Sequence, residues 1–187
     1  MKKMAVKVLV PILALLMLLS MASSAKAYVP PPTKIPVTVY LTGETVTPAD
    51  VSTLKYVVSN DMMYLLYFTF SGTIAITDGK APIATVNWVD VCWGTYNIAT
   101  GLGSYTFFEV WTITSGQFAG GQLVGFDHPH TVGALLQDIT GIGAPITALE
   151  AHIIVVGIGA CAGQVIDVSS PNLLVTGYGM TGYWLTP

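Results

Sequence analysis

Past Thr53 the chain alternates apolar and polar residues with a period of two, the mark of strands with one face in a core. Turn residues interrupt the alternation roughly every eight to twelve positions. The clearest stretch is Ser104–Phe126 (SYTFFEVWTITSGQFAGGQLVGF). Tyr105, Phe107, Glu109, Trp111 and Ile113 share one face, and Thr106, Phe108, Val110, Thr112 and Thr114 the other. Most are aromatic or β-branched and fit a pleated, half-buried surface. Gly116, Gly120 and Gly121 form a corner around Phe118, and Gln122–Phe126 returns. This hairpin is the expected nucleus of the sheet.

The same reasoning marks strands at Ile35–Leu41, Leu54–Ser59, Met62–Phe70, Thr73–Thr77, Ile83–Tyr96, Ile153–Val156, Gln164–Val168, Asn172–Thr176 and Met180–Leu185. Met62–Phe70 is apolar on both faces and is expected to be central in its sheet or covered on both sides. Thr47–Asp50 reads as a turn, Asp78-Gly79-Lys80 as a hairpin turn, and Thr131–Thr140 as a strand or a short helix. Gly157–Gly163 is a second glycine corner. Ala119–Val124 and Cys161–Ile166 echo each other as a small-residue corner followed by Gln. No amphipathic helix of three turns is present. Many short strands with frequent turns predict an all-β fold, a barrel or a sandwich. Glycines at strand corners favour an antiparallel β-barrel of about eight to ten strands, because strong bends close a sheet.

The N-terminus departs from this pattern. Lys2, Lys3 and Lys7 precede the apolar run Val8–Leu19, and Ala25-Lys26-Ala27 is a small-x-small site. These are the parts of a secretory signal peptide, with cleavage expected after Ala27 and the mature chain secreted or held at the cell surface. Residues 28–50 read as a proline-rich extended arm with the first strand, and 51–187 as one barrel-like domain. Removing 1–27 leaves Lys34, Lys55 and Lys80 against ten acids and no arginine, a net charge of −7. Such a surface cannot neutralise a phosphate backbone, which excludes nucleic acid as a partner. No membrane span is expected in the mature chain.

Cys92 and Cys161 are the only cysteines. An even count in an exported chain suggests a disulfide, whose loop of about 70 residues would contribute roughly 4 kcal/mol; two buried free thiols are the alternative. Asp127-His128-Pro129-His130 brings two imidazoles and a carboxylate together as a candidate site for a divalent metal, the one cofactor the sequence suggests; a polar interstrand loop is the alternative. Glu150 and His152 share a strand face. Asp90 lies between Trp88 and Cys92, and Glu109 between Phe107 and Trp111. An unpaired buried charge is costly, so such carboxylates are paired, protonated or exposed. A half-exposed sheet with these acids toward solvent is favoured. The competing reading is a polar patch in a barrel lumen, with Glu109, Trp111, Glu150 and His152 as candidate ligand-binding residues. Nucleophile elbows, phosphate loops and zinc-protease motifs are absent.

The ending AHIIVVGIGACAGQVIDVS, with GQFAGGQLVGF upstream, resembles exported, mostly archaeal proteins of unknown function that carry a His, apolar run, Gly-x-Gly, small-x-Gly-Gln element. The matching residues are His152, Gly157, Gly159, Gly163 and Gln164. That group is similar in pattern to calycin and allene-oxide-cyclase-type barrels. The resemblance implies a barrel and carries no catalytic residue over to this chain.

Three functions compete. The first is a non-enzymatic exported β module that binds a small ligand or a cell-surface partner. The second is a surface filament or layer subunit that self-associates by strand addition through residues 28–43. The third is a barrel isomerase or metal-dependent hydrolase using Glu150, His152 and the His128/His130 pair.

Overall fold

The computed structural model describes residues 31–45 and 47–187, so the signal-peptide reading of 1–27 falls outside the described residues. Residues 32–187 form one compact unit. Its strands are β1 (Thr33–Thr45), β2 (Lys55–Ser59), β3 (Met62–Thr77), β4 (Pro82–Asn97), β5 (Leu102–Gly116), β6 (Gln122–Asp127), β7 (His130–Val132), β8 (Ala148–Leu149), β9 (Ala151–Ile158), β10 (Val165–Ser170) and β11 (Gly179–Thr186). Two short helices, α1 (Pro48–Thr53) and α2 (Gln137–Thr140), complete it. No helix of the described residues is long and apolar enough to cross a membrane.

Eight strands close an antiparallel barrel in the order β1, β3, β4, β5, β6, β9, β10, β11, and β11 pairs back onto β1 from Thr33↔Thr186 to Tyr40↔Gly179. The expected barrel is therefore the fold. β1 is one of its staves, paired on both edges, so the strand assigned above to an N-terminal arm belongs to the barrel. The Ser104–Phe126 hairpin forms as expected, from Phe107↔Asp127 to Thr112↔Gln122.

Alternation along each stave fills the lumen. Val37 and Val39, Ile74 and Ile76, Val86 and Trp88, Trp111 and Ile113, Leu123, Val155, Ile166 and Val168, and Met180 all point inward and are buried. Trp88 and Trp111 stand opposite each other in the β4–β5 ladder. One end is closed by Phe118 packed at a tilt of 42° against Trp184, 5.3 Å between centroids, with the Trp184 indole Nε1–H donating to Gln164 Oε1 at 2.8 Å. The other end is covered by segments 133–150 and 171–178. Asn172 Oδ1 accepts the backbone N–H of Leu149 at 3.2 Å and of Leu174 at 3.1 Å, which ties the two segments together.

Several local expectations change. Asn172–Thr176 is a run of turns and not a strand, because the Asn172 side chain supplies the local acceptors. Thr47–Asp50 starts helix α1, capped reciprocally by the Thr47 and Asp50 side chains. Thr131–Thr140 divides between β7 and α2. Met62–Phe70 is central, between β2 and β4, but it is not covered on both faces: Tyr64, Leu66 and Tyr67 are exposed. That half of β3 runs beyond the barrel between β2 and β4. A register shift between Leu65 and Phe68 turns both Leu66 and Tyr67 outward before the alternation resumes.

Cys92 and Cys161 are free and buried, which corrects the expected disulfide. Cys92 pairs with Phe107 on β4–β5, whereas Cys161 packs against Gly121, next to Gln122, which pairs with Thr112. Five residues of β5 separate those levels, roughly 17 Å by strand rise, well past the roughly 7 Å Cα separation a disulfide spans.

Closing so small a barrel brings neighbouring backbones close. A Cβ on Gly125 of β6 would collide with the Ile154 carbonyl of β9, and one on Gly182 of β11 with the Asp167 carbonyl of β10. Neither obstacle is a movable side chain. Gly125→Val should therefore lower unfolding free energy by about 1–3 kcal/mol or more in urea titrations; an unchanged midpoint would contradict the close approach. The thiols give a second check: a thiol reagent should count two groups per chain after unfolding and almost none before, without any reductant.

Candidate functional site

The covered end of the barrel holds a cup of about 60 Å³, walled by Phe70, Trp88, Phe107 and Ile153 with Asp90, Glu109 and Asp127, and rimmed by Leu41, Leu135, Leu149, Leu173 and Tyr178. Strand parity explains the acids. Asp90 is two residues from both Trp88 and Cys92, Glu109 two from Phe107 and Trp111, and Asp127 four from Leu123, so each shares the inward face of its stave. The three carboxylates stand on adjacent staves β4, β5 and β6 and are about 5% exposed or less. Asp90 lies directly opposite Glu109, which implies Cβ atoms roughly 5 Å apart. Asp127 is diagonal to Glu109, since Glu109 pairs with Gly125. The favoured sequence reading, acids toward solvent, is thus overturned for Asp90 and Glu109.

Glu109 and Asp127 each have a local role. Glu109 Oε2 accepts the Trp111 indole N–H at 2.5 Å. Asp127 Oδ1 accepts the backbone N–H of His152 at 2.8 Å. The β6–β9 ladder ends at Phe126↔Ile154, and the Asp127 carboxylate satisfies the strand where the two chains part. Burial pushes the Glu109 carboxyl up to about 8, with the Asp127 charge adding and the Trp111 N–H opposing. Burial also raises Asp127, against the backbone N–H groups of His152 and His128. Burial, then the Asp90 charge, pushes the Cys92 thiol up, so it is no nucleophile at neutral pH. The wall carries one unsatisfied donor, the Trp88 indole Nε1–H, which has no acceptor among the described residues. Trp88 is 3% exposed and lies across Gly72, whose added Cβ would meet the indole at 2.8 Å.

The remaining sequence candidates lie outside the barrel. His128 and His130 alternate with Asp127, so they face outward while Asp127 faces inward. His130 Nδ1 is 3.5 Å from Glu150, His152 Nε2 is 3.0 Å from Asp167, and His128 Nδ1 is 3.2 Å from Thr106 Oγ1. These ion pairs are solvent-exposed and hold little energy. Among the described residues no three His, Cys, Asp or Glu side chains stand together as a metal site. Of the proposed ligand set, Glu109 and Trp111 meet in the lumen, whereas Glu150 and His152 do not reach it. Sequence reading missed Phe70, Leu173 and Tyr178. Nothing in the sequence marked the last, which the structure holds at a positive φ of 61°, a strained backbone at the cup's rim.

Comparisons with family models, with curated proteins and with solved structures find no match to this chain. The site therefore rests on its own geometry.

The buried acid has a measurable consequence. The folded chain holds the Glu109 proton up to about pH 8, and the unfolded chain releases it at the ordinary 4.5. Between those values the folded state binds more protons, so stability falls as pH rises, by up to about 1.4 kcal/mol per pH unit for one group. Chemical denaturation at several pH values should show this slope, and Glu109→Gln should flatten it and raise stability at pH 8. A wild-type profile level from pH 5 to 8 would contradict the raised carboxyl.

Proposed function

We propose that the chain is an exported, non-enzymatic binding module whose barrel lumen holds a small ligand. The cup carries this reading: three carboxylates and an unsatisfied indole donor gather inside one apolar enclosure. A core serving stability alone would place aliphatic side chains there, since replacing buried charges by well-packed apolar groups is often neutral or stabilising. The cup is concave and mostly apolar with a few convergent polar groups, the usual make-up of a small-molecule site. Tyr178, 41% exposed, marks where it reaches solvent. Export is supported by the N-terminal Lys2, Lys3, Lys7, apolar run and Ala25-Lys26-Ala27.

Strand addition through residues 28–43 is less well supported, because β1 already pairs with β3 and β11 and offers no free edge from Thr38 to Tyr40. The metal-hydrolase reading loses its constellation, as His128 and His130 turn away from Asp127 and the lumen.

A screen of small soluble compounds, each of up to about eight heavy atoms, followed on backbone amide spectra tests the reading. At least one compound should shift Phe70, Phe107 and Ile153 saturably, and Ile153→Phe, which fills the cup, should abolish the shift while keeping a dispersed spectrum. If no compound perturbs the lumen, the binding reading fails.

A further inference from the structure

We propose that β2 is a self-association edge: two copies of the chain pair β2 against β2, antiparallel, about a twofold axis at Val57. The inference is independent of the cup and goes beyond the binding reading.

The barrel staves are paired on both sides, but the sheet still has two ends, β2 and β8. β8 is closed off within the chain: the Leu149 N–H donates to Asn172 Oδ1 at 3.2 Å, and the Leu149 C=O accepts the Leu173 N–H at 2.8 Å. β2 has no such cover among the described residues. The cause lies in how the barrel closes. β1, α1 and β2 follow one another along the same edge of β3, the helix through Thr53 Oγ1, which accepts the Thr69 N–H at 2.9 Å. β11 flanks β1 only from Thr33 to Tyr40, so β2 lies past the end of the strand that would flank it. All five residues of β2 are exposed, although Tyr56, Val57 and Val58 are strand formers with large apolar surfaces. Natural sheets blunt a free edge with charge or proline. Here the one charge, Lys55, stands at the strand's end and leaves Tyr56–Val58 open.

Backbone parity defines what that edge offers. The Asp61 C=O accepts the Ile98 N–H at 2.6 Å, on the β4 side of β3. Alternation then turns the backbone groups of Met62 and Tyr64 toward β2, where they meet Ser59 and Val57. Tyr56 and Val58 are left with N–H and C=O groups directed away from β3, and no described residue pairs with them there.

A second copy of β2 fits this edge in one register. With the axis at Val57, Tyr56 stands opposite Val58 of the second copy, and Val58 opposite its Tyr56. These are the residues with free groups, so each pair exchanges two N–H···O bonds. Val57 faces Val57 in the closer position between them. A slip of one residue would set free groups against engaged ones, and a slip of two would leave part of each strand unpaired. The side chains agree with the backbone. Tyr56 beside Val58 is an aromatic–β-branched pair, a favourable cross-strand neighbour. Lys55 falls opposite Ser59 and diagonal to Asp61 of the second copy, so the strand's one charge approaches an acid and not itself. Any extended peptide offers backbone groups; β2 also satisfies parity, side chains and charge together.

The contact is small, so association is weak and shows at high concentration. The test is sedimentation of the mature chain from about 10 to 500 µM. The average mass is expected to rise from one chain toward two. Val57 is 50% exposed, so its replacement should leave the far-ultraviolet dichroism unchanged. Val57→Lys and Val57→Glu each place two like charges across the axis and should weaken association about tenfold or more. Mixing the two variants sets Lys against Glu and should restore it. Amide exchange gives a readout that needs no variant: the Tyr56 and Val58 N–H groups should become protected as concentration rises. A mature chain that stays monomeric throughout overturns the inference. So does association that survives either single variant, a mixture that stays monomeric, or a dimer in which the Tyr56 and Val58 amides exchange as fast as in the monomer. None of these outcomes bears on the cup, which the compound screen decides separately.

Discussion

Closure of the barrel is the constraint on which everything else depends. When β11 pairs back onto β1, no stave keeps a free edge, and each residue of a stave must face either the lumen or the outside. A single shift of register would exchange the two sets along a whole strand. The position of Asp90, Glu109 and Asp127 is therefore a consequence of the apolar residues that share their parity. Trp88 and Cys92 fix Asp90 inside, Phe107 and Trp111 fix Glu109, and Leu123 fixes Asp127. The sheet could expose these acids only by exposing the tryptophans as well.

The acids consequently work against the fold that holds them. Burial raises the Glu109 and Asp127 carboxyls, and the Asp127 charge adds to the rise at Glu109. The structure offsets part of this with the Trp111 indole and the His152 backbone N–H. Natural sequences concede stability in this way mainly where a site needs it. The local bonds explain how the acids are tolerated, but they do not explain why three of them were placed on neighbouring staves.

The sequence showed the parity well and the company poorly. Period-two alternation across Tyr105–Ile113 grouped the inward residues of β5 on one face, Glu109 among them, although the acids were expected to face solvent, and the glycine corners pointed to a closed sheet. What stayed hidden was anything requiring the third dimension. Asp127-His128-Pro129-His130 reads as one cluster along the chain, yet strand alternation sends Asp127 one way and both imidazoles the other. Glu150 and His152 share a face, but it is the outer one, as the buried Ala151 and Ile153 on either side of His152 show. Cys92 and Cys161 looked like a pair because they were two, although their places along the staves keep them apart. At Met62–Phe70 a two-residue bulge mimicked a doubly buried strand, because Leu66 and Tyr67 are apolar but lie outside.

The two ends of the lumen supply an internal control for the functional reading. Three tryptophans are buried along it. Trp184, at the closed end, gives its N–H to Gln164, and Trp111, in the middle, gives its N–H to Glu109. Each was matched by an acceptor placed on the chain for it. Trp88, in the wall of the cup, has none among the described residues. A sequence that satisfied two buried indoles at 2.8 and 2.5 Å did not lack the means to satisfy a third. Leaving a buried donor unmet costs on the order of 1–3 kcal/mol, and here it coincides with the carboxylates, the aromatic walls and the cavity. At the closed end the Trp184 indole is matched by Gln164, and among the described residues Asp78 is the one acid that lines the pocket there. That contrast is what supports the binding reading proposed above.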